Sequence, residues 1–446
     1  MHRIFRRKIY DTLIKWKKDR NGQTAMLIKG ARRVGKSTIA REFAKKEYQS
    51  YIEINFAKVD PEVKELFNDL SDLDYIFLRL QAIFNVKLEN RKSVLVFDEI
   101  QKCPKAREAI KFLVEDGRYD YIETGSLLSI KKHKEGIIIP SEETRITMYP
   151  MDFEEFLEAI GETQIFPLLQ YSFNNLRSLG EATHRKILRL FRLYMLVGGM
   201  PQAVKRYVQT NNLAEVDAIK REIIELYVDD LREVDESGRA SRIFETIPGE
   251  LSRNKLRYNV GSVIKNASSL NLDSVWKDLE DSLTVNICYR CTDPNVGMTL
   301  HKDMSYFKLY MGDTGLFVTL AFWDQDVADN LIYNKLLSDK LSADLGYIYE
   351  NAVAQMLKTA GKSLFYYTFP ADKEEKNHYE IDFLTLKDNK LQPLEVKSSG
   401  YMAHKSLDMF CIKYKHRIGR PILLYTKDIR TDSETICLPV YMTPLL

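Results

Sequence analysis

The chain has 446 residues, 45% of them hydrophobic, which is ample material for buried cores and a length suited to three or four domains. Its 66 basic and 63 acidic residues nearly cancel, so a net charge of +3 selects no strongly charged partner. No apolar run approaches a membrane span, and no hydrophobic stretch follows the basic start as in a signal peptide. Five scattered cysteines suit a reducing compartment, so a cytoplasmic protein without a membrane partner is expected.

Residues 1–24 read as a leading amphipathic helix packed under the next domain, with a solvated basic face that includes Arg3, Arg6, Arg7 and Lys8. The other reading of that charge is attraction to nucleic acid or an anionic surface. Next comes an apolar strand, 25–28, then Gly30-Ala31-Arg32-Arg33-Val34-Gly35-Lys36-Ser37, then Thr38 and a helical pattern to 46. The octet fits G-x-x-x-x-G-K-[ST], and strand, turn and helix are the context that motif needs. Gly30 and Gly35 permit a tight turn that aims backbone N–H groups at phosphate, beside the positive end of the helix dipole. In this role Lys36 reaches the β- and γ-phosphates of ATP and the Ser37 hydroxyl ligates Mg²⁺.

An alternating strand at 51–56 and two helical patterns, 61–68 and 74–88, lead to Val94-Leu95-Val96-Phe97-Asp98-Glu99. A buried strand delivering two acids at its C-terminal end suits a Mg-nucleotide site. Asp98 would hold the metal's water shell and Glu99 would act as general base on the attacking water. A helix at 105–114 and a strand at 119–123 follow, ending in Thr124-Gly125-Ser126. Thr124 or Ser126 could meet the attacking water or the γ-phosphate. Arg145 is a candidate for a charge-stabilising arginine supplied by a neighbouring subunit, which would make the protein a homo-oligomer. The alternation of strands and helices to about residue 150 indicates a doubly wound α/β domain with ligand at the strand C-termini.

These residues, with Asp98-Glu99-Ile100-Gln101, Tyr149-Pro150-Met151-Asp152-Phe153-Glu154-Glu155-Phe156, Gly198-Gly199-Met200-Pro201 and Phe307-Lys308-Leu309-Tyr310, occur in an order that resembles a family of bacterial and archaeal AAA-type ATPases carrying a C-terminal domain of unknown function. The resemblance covers nearly the whole chain. It implies an AAA-type P-loop core at 1–150, a helical lid at 151–235, a winged-helix-like domain at 236–335 and a restriction-endonuclease-like α/β domain at 336–446. The Gly-Arg pair often found before the Tyr-Pro motif stands here as Thr144-Arg145.

Independently of that resemblance, 154–160, 185–196 and 214–234 have helical apolar spacing, interrupted at Gly198-Gly199-Met200-Pro201. Short helices then precede two alternating stretches, 283–290 and 306–309, an order that fits a winged helix. That shape serves DNA binding and protein docking alike. Cys288 and Cys291 form a lone C-x-x-C on a strand, where packing is expected.

A helix at 341–360 carries Glu350. After an aromatic strand, 364–369, a strand at 379–386 carries Asp382, Lys387-Asp388-Asn389-Lys390 turns, and 391–397 returns. Strand period puts Glu395 and Lys397 on one face. Asp382, Glu395 and Lys397 then fit the D…E-x-K pattern of metal-dependent nucleases, with Glu350 as a further ligand. Two carboxylates and a backbone carbonyl would hold Mg²⁺ while Lys397 orients or deprotonates water attacking a phosphodiester. The leading expectation is an ATPase whose nucleotide state controls a DNA-directed nuclease-like domain. The alternative is a regulatory switch that binds a protein partner and cuts nothing.

Overall fold

A computed structural model describes residues 4–125, 141–253, 255–264, 272–324, 337–338, 346–371, 377–431 and 434–446. They form two compact units, Met1–Tyr149 with Asp281–Leu283, and Pro150–Glu280 with Thr284–Leu446.

The first unit runs α1 (Ile9–Arg20), β1 (Ala25–Lys29), α2 (Lys36–Glu47), β2 (Ser50–Asn55), α3 (Pro61–Glu65), α4 (Leu73–Phe84), β3 (Ser93–Asp98), α5 (Pro104–Asp116), β4 (Asp120–Gly125) and β5 (Glu143–Thr147). The strands form a parallel sheet in the order β2-β3-β4-β1-β5. Parallel neighbours need crossovers, and helices placed on the faces bury both sides, which is why β1 and β3 read as unbroken apolar runs. Leu27, Leu95, Phe97 and Tyr121 pack with Phe77 and Leu80 of α4 and Ile110 and Leu113 of α5. Met26, Ile28, Val94 and Val96 alternate with them onto the opposite face, and α2 contacts β2, β3 and β4. Phe56, Phe67 and Phe97 meet edge to face at 5.5 to 5.8 Å, each pair adding about 0.5–1.5 kcal/mol beyond burial. Asp72 caps α4 through Tyr75 N, and Asn85 ends it in the left-handed region at φ 51°. The helix therefore stops short of Leu88, where periodicity alone would carry it.

The second unit begins with α6 (Phe153–Ile160), α7 (Ile165–Asn174), α8 (Glu181–Val197), α9 (Pro201–Thr210), α10 (Leu213–Val234) and α11 (Arg239–Ser252). A reciprocal capping box of Asp152 and Glu155 starts α6. The break at Gly198-Gly199 has a packing cause: a Cβ on Gly199 would stand 2.1 Å from Met151 O. Gly199 N donates to Asp313 Oδ2 at 2.6 Å, and Met151 N donates to Gly199 O at 2.7 Å. The same Asp313 caps α12 (Thr314–Ala321) through Leu316 N.

Strands β6 (Val285–Cys291), β7 (Lys302–Met311), β8 (Phe365–Pro370), β9 (His378–Lys387), β10 (Lys390–Lys397), β11 (Ile422–Tyr425) and β12 (Ile436–Pro439) make one mixed sheet in the order β12-β11-β10-β9-β8-β6-β7. α13 (Gly346–Thr359) and α14 (Lys405–Lys413) pack on it. The hairpin read from sequence as a wing is the edge of this sheet, joined through a parallel pairing of β6 with β8. The expected boundary at 335 thus falls between strands of a single sheet. Asp388 and Asn389, at φ 52° and 58°, make the tight β9–β10 turn, since two left-handed residues match the strand twist. Residues 341–345 of the expected helix lie outside the described residues.

Candidate functional site

In the first unit the loop 30–35 leaves β1 at its C-terminal end and runs into α2. Gly35 (φ 101°) and Arg33 (φ 66°) take left-handed conformations that fold the loop back on itself. Gly30 has no room for a side chain, because its Cβ would lie 2.4 Å from Met148 O. Ala31 and Val34 are buried, while Arg32, Arg33 and Thr38 are exposed. Lys36 is 7% exposed, and its Nζ donates to Gly30 O at 3.0 Å and Ala31 O at 2.8 Å. Arg7, ahead of α1, donates to Val34 O at 2.9 Å and Tyr149 O at 2.6 Å, tying the loop to the end of the unit.

β4 lies between β1 and β3, so the Asp98 carboxylate must be reached across it. The structure brings the groups together. Ser37 Oγ donates to Asp98 Oδ1 at 2.6 Å, Thr124 Oγ1 donates to the same oxygen, and Asn55 Nδ2 donates to Oδ2 at 2.7 Å. A hydroxyl and a carboxylate converging in this way are hard oxygen donors that fit Mg²⁺. Glu99 leaves the strand at φ 54°, half-buried, and its carboxylate accepts from Gln101 Nε2. Ser126 lies outside the described residues. Arg145 is on β5 with Nε 2.9 Å from Glu143 Oε2.

Behind this site Glu123 of β4 is fully buried, and neither carboxylate oxygen has a hydrogen-bond donor among the described residues. Burial pushes its carboxyl up to about 8, with Glu143 adding and Arg107 and Arg145 opposing. Arg107 itself is engaged by Glu143, at 2.9 and 3.2 Å.

In the second unit β9 and β10 pair through Phe383 and Leu394, which sets Asp382 beside Glu395 and Val396. Asp382 Oδ2 accepts from Val396 N at 2.7 Å, and Lys397 Nζ lies 3.0 Å from Glu395 Oε1. These residues line a cavity of about 450 Å³ together with Glu350 of α13, Glu380 and Lys308. The Oε2 of Glu350 accepts from Tyr310 OH at 3.2 Å and stands 3.7 Å from Lys308 Nζ. Among the described residues no group of three or more His, Cys, Asp or Glu side chains is arranged to hold a metal ion. Burial, then Glu350 and Glu380, hold the Asp382 carboxyl well above the usual range. Burial opposes the charge on Lys308, and Glu380, Tyr310 and Glu350 overcome it, so this ammonium stays protonated.

Sequence reasoning quoted Asn55, Gln101 and Lys308 only as parts of strands or motifs. The polar end of an alternating strand was the available signal for Asn55. Nothing local marked Lys308. Cys288 and Cys291 are buried free thiols, and burial raises both. No helix among the described residues is long and apolar enough to cross a membrane.

Residues 22–157 match a family model described as an AAA domain. Residues 188–327 and 345–443 match two described as domains of unknown function, DUF8612 and DUF4143. Among solved structures, a Walker-type ATPase of Pyrococcus abyssi is similar at a TM-score of 0.41 and 15% identity, over 71% of this chain and 96% of that one. The ORC1 protein of Aeropyrum pernix, solved in complex with DNA, is similar at 0.29 and 12% identity, over 74% and 96%. Comparison with curated proteins finds no match.

Proposed function

We propose that this chain, which carries an AAA-type ATPase domain over residues 22–157, hydrolyses Mg-ATP and uses its nucleotide state to control a metal-dependent, DNA-directed nuclease-like domain. The observation that carries the ATPase half is the convergence of Ser37 and Asp98, 2.6 Å apart, beside the phosphate loop. Loop amides and the N-terminus of α2 would receive the phosphates. Lys36 would exchange the Gly30 and Ala31 carbonyls for phosphate oxygens. Ser37 and Asp98 would hold Mg²⁺, which neutralises charge developing on the β- and γ-phosphates. Glu99, held by Gln101, would take a proton from the attacking water.

For the second unit we keep the division into a helical lid at 151–235, a middle domain at 236–335 and a nuclease-like domain at 336–446, with the middle hairpin sharing the last domain's sheet. Asp382 and Glu395 would hold a divalent cation, which polarises a phosphodiester and its attacking water. Glu395 Oε2 supports the fit, being buried without a donor among the described residues. Lys397 would orient that water. One observation favours the rival reading, a protein-binding switch that cuts nothing. Lys308 already places a positive charge among these acids.

Lys36→Ala should abolish nucleotide binding without unfolding the domain, and labelled ATP bound equally by both proteins would refute the loop assignment. Glu99→Gln should bind ATP yet turn it over at least roughly a hundredfold more slowly, the scale of losing a general base. Unchanged turnover would place the base elsewhere.

A further inference from the structure

The acidic cavity of the second unit encloses a lysine that does not come from the E-x-K strand. Lys308 sits on β7 and is 7% exposed. Its Nζ contacts Glu380 Oε1 and stands 3.7 Å from Glu350 Oε2, which Tyr310 OH also meets at 3.2 Å. Glu350 and Glu380 are therefore turned toward Lys308. On the other side Lys397 is 3.0 Å from Glu395 Oε1, and Val396 N is 2.7 Å from Asp382 Oδ2. Glu395 is only 4% exposed, lines the cavity, and leaves Oε2 without a hydrogen-bond donor among the described residues.

Four carboxylates thus face two ammonium groups across this cavity. If all were ionised, two negative charges would remain, close to an acceptor with no donor. A buried carboxylate oxygen in that position is costly unless a cation meets it. The unmet oxygen belongs to Glu395, whose Oε1 alone meets Lys397, while Glu350 and Glu380 already have a cation in Lys308. A lysine ammonium is a compact charge with three donors, and unlike a metal ion it cannot dissociate.

We propose that Lys308 is a resident second cation: its ammonium holds Glu350 and Glu380 where a second metal ion would otherwise sit, and so limits the cavity to one divalent ion, bound by Asp382 and Glu395. This rests on the reading of the cavity as a metal site. It goes further in giving the stoichiometry and in assigning Glu350 and Glu380 to the lysine.

The test is Mn²⁺ titration of the nucleotide-free full chain, followed by the paramagnetic resonance signal of free ion. Asp382→Asn serves as the reference, because it keeps the phosphate loop and any surface sites. Wild type is expected to bind one ion more than that reference. Lys308→Ala removes the ammonium and leaves room, and is expected to bind two more. Its melting temperature should also rise with Mn²⁺ by more than that of wild type, since ligand binding stabilises the folded state. Lys308→Ala binding a single ion with wild-type affinity overturns the proposal.

Should Lys308→Ala fail to fold, Glu350→Gln and Glu380→Gln decide the matter with Lys308 in place. Each is expected to retain the single ion, and its loss in either overturns the proposal, because that carboxylate would then be a ligand. A wild type that binds nothing beyond Asp382→Asn refutes the metal reading itself, an outcome distinct from a wrong stoichiometry.

Discussion

Glu123 is a carboxyl inside a sheet, with Glu143 near it and the arginine beside it already paired. Its proton is worth more folded than unfolded. The carboxyl titrates near 4.5 in the open chain and is raised to about 8 in the fold, so between those values the native state holds a proton that the unfolded state has released. By linkage this stability is full below the lower value and is lost as pH rises through the upper one. Glu123→Gln keeps the shape and removes the titration. It should flatten the fall in urea midpoint between roughly pH 5 and 8 and be at least as stable as wild type at the alkaline end. Equal slopes in the two proteins would show that Glu123 is ionised throughout. Asp98 is a buried carboxylate met by Ser37, Thr124 and Asn55. Removing the Asn55 amide as Asn55→Ala loses a hydrogen bond to a charged group, worth about 1.5–3 kcal/mol. Lower ATP turnover with Mg-nucleotide still bound is the expected result. Loss of binding would mean that Asn55 reaches the nucleotide itself.

Between elements, Met151, Gly198, Gly199 and Asp313 form a close-packed, hydrogen-bonded junction in the second unit. Gly199→Ala would press a methyl against Met151 O and displace the Gly199 N–H from Asp313. A loss of about 1–3 kcal/mol is expected from overpacking, read as a lower midpoint in denaturant melts, and an unchanged midpoint would mean the backbones part freely. At this scale legibility divides by sequence distance. The phosphate loop, the Asp98-Glu99 strand end and the β9–β10 hairpin are local patterns, and their place on strand, turn and helix could be read from spacing and strand period. The place of Lys308 could not, because it needs β6 to pair in parallel with β8 and so carry β7 to the edge of the C-terminal sheet. Alternation identifies a strand but not the sheet it joins. The hairpin at 285–311 looked like a wing for the same reason. The helical pattern offers Glu350 as a further metal ligand; its pairing with Lys308 depends on that same long-range placement.

Over the whole molecule, control of the second unit by nucleotide needs a physical route within that unit. The chain enters it at Pro150. Met151 O accepts from Tyr194 OH at 2.9 Å, and Gln355 Nε2 donates to that hydroxyl at 2.9 Å. Gln355 lies on α13, the helix that carries Glu350 into the cavity. A shift at Met151 therefore has packed polar contacts through which to bias the cavity, and coupling along them is what a nucleotide effect on the cavity would measure. The most direct measurement is Mn²⁺-dependent cleavage of a labelled DNA duplex, with and without ATP, by wild type and Lys36→Ala. Wild type should cut at a rate that changes on adding ATP, and Lys36→Ala should cut at a rate that ATP does not change. No cleavage by wild type under any nucleotide, or the same ATP response in Lys36→Ala, would contradict the account.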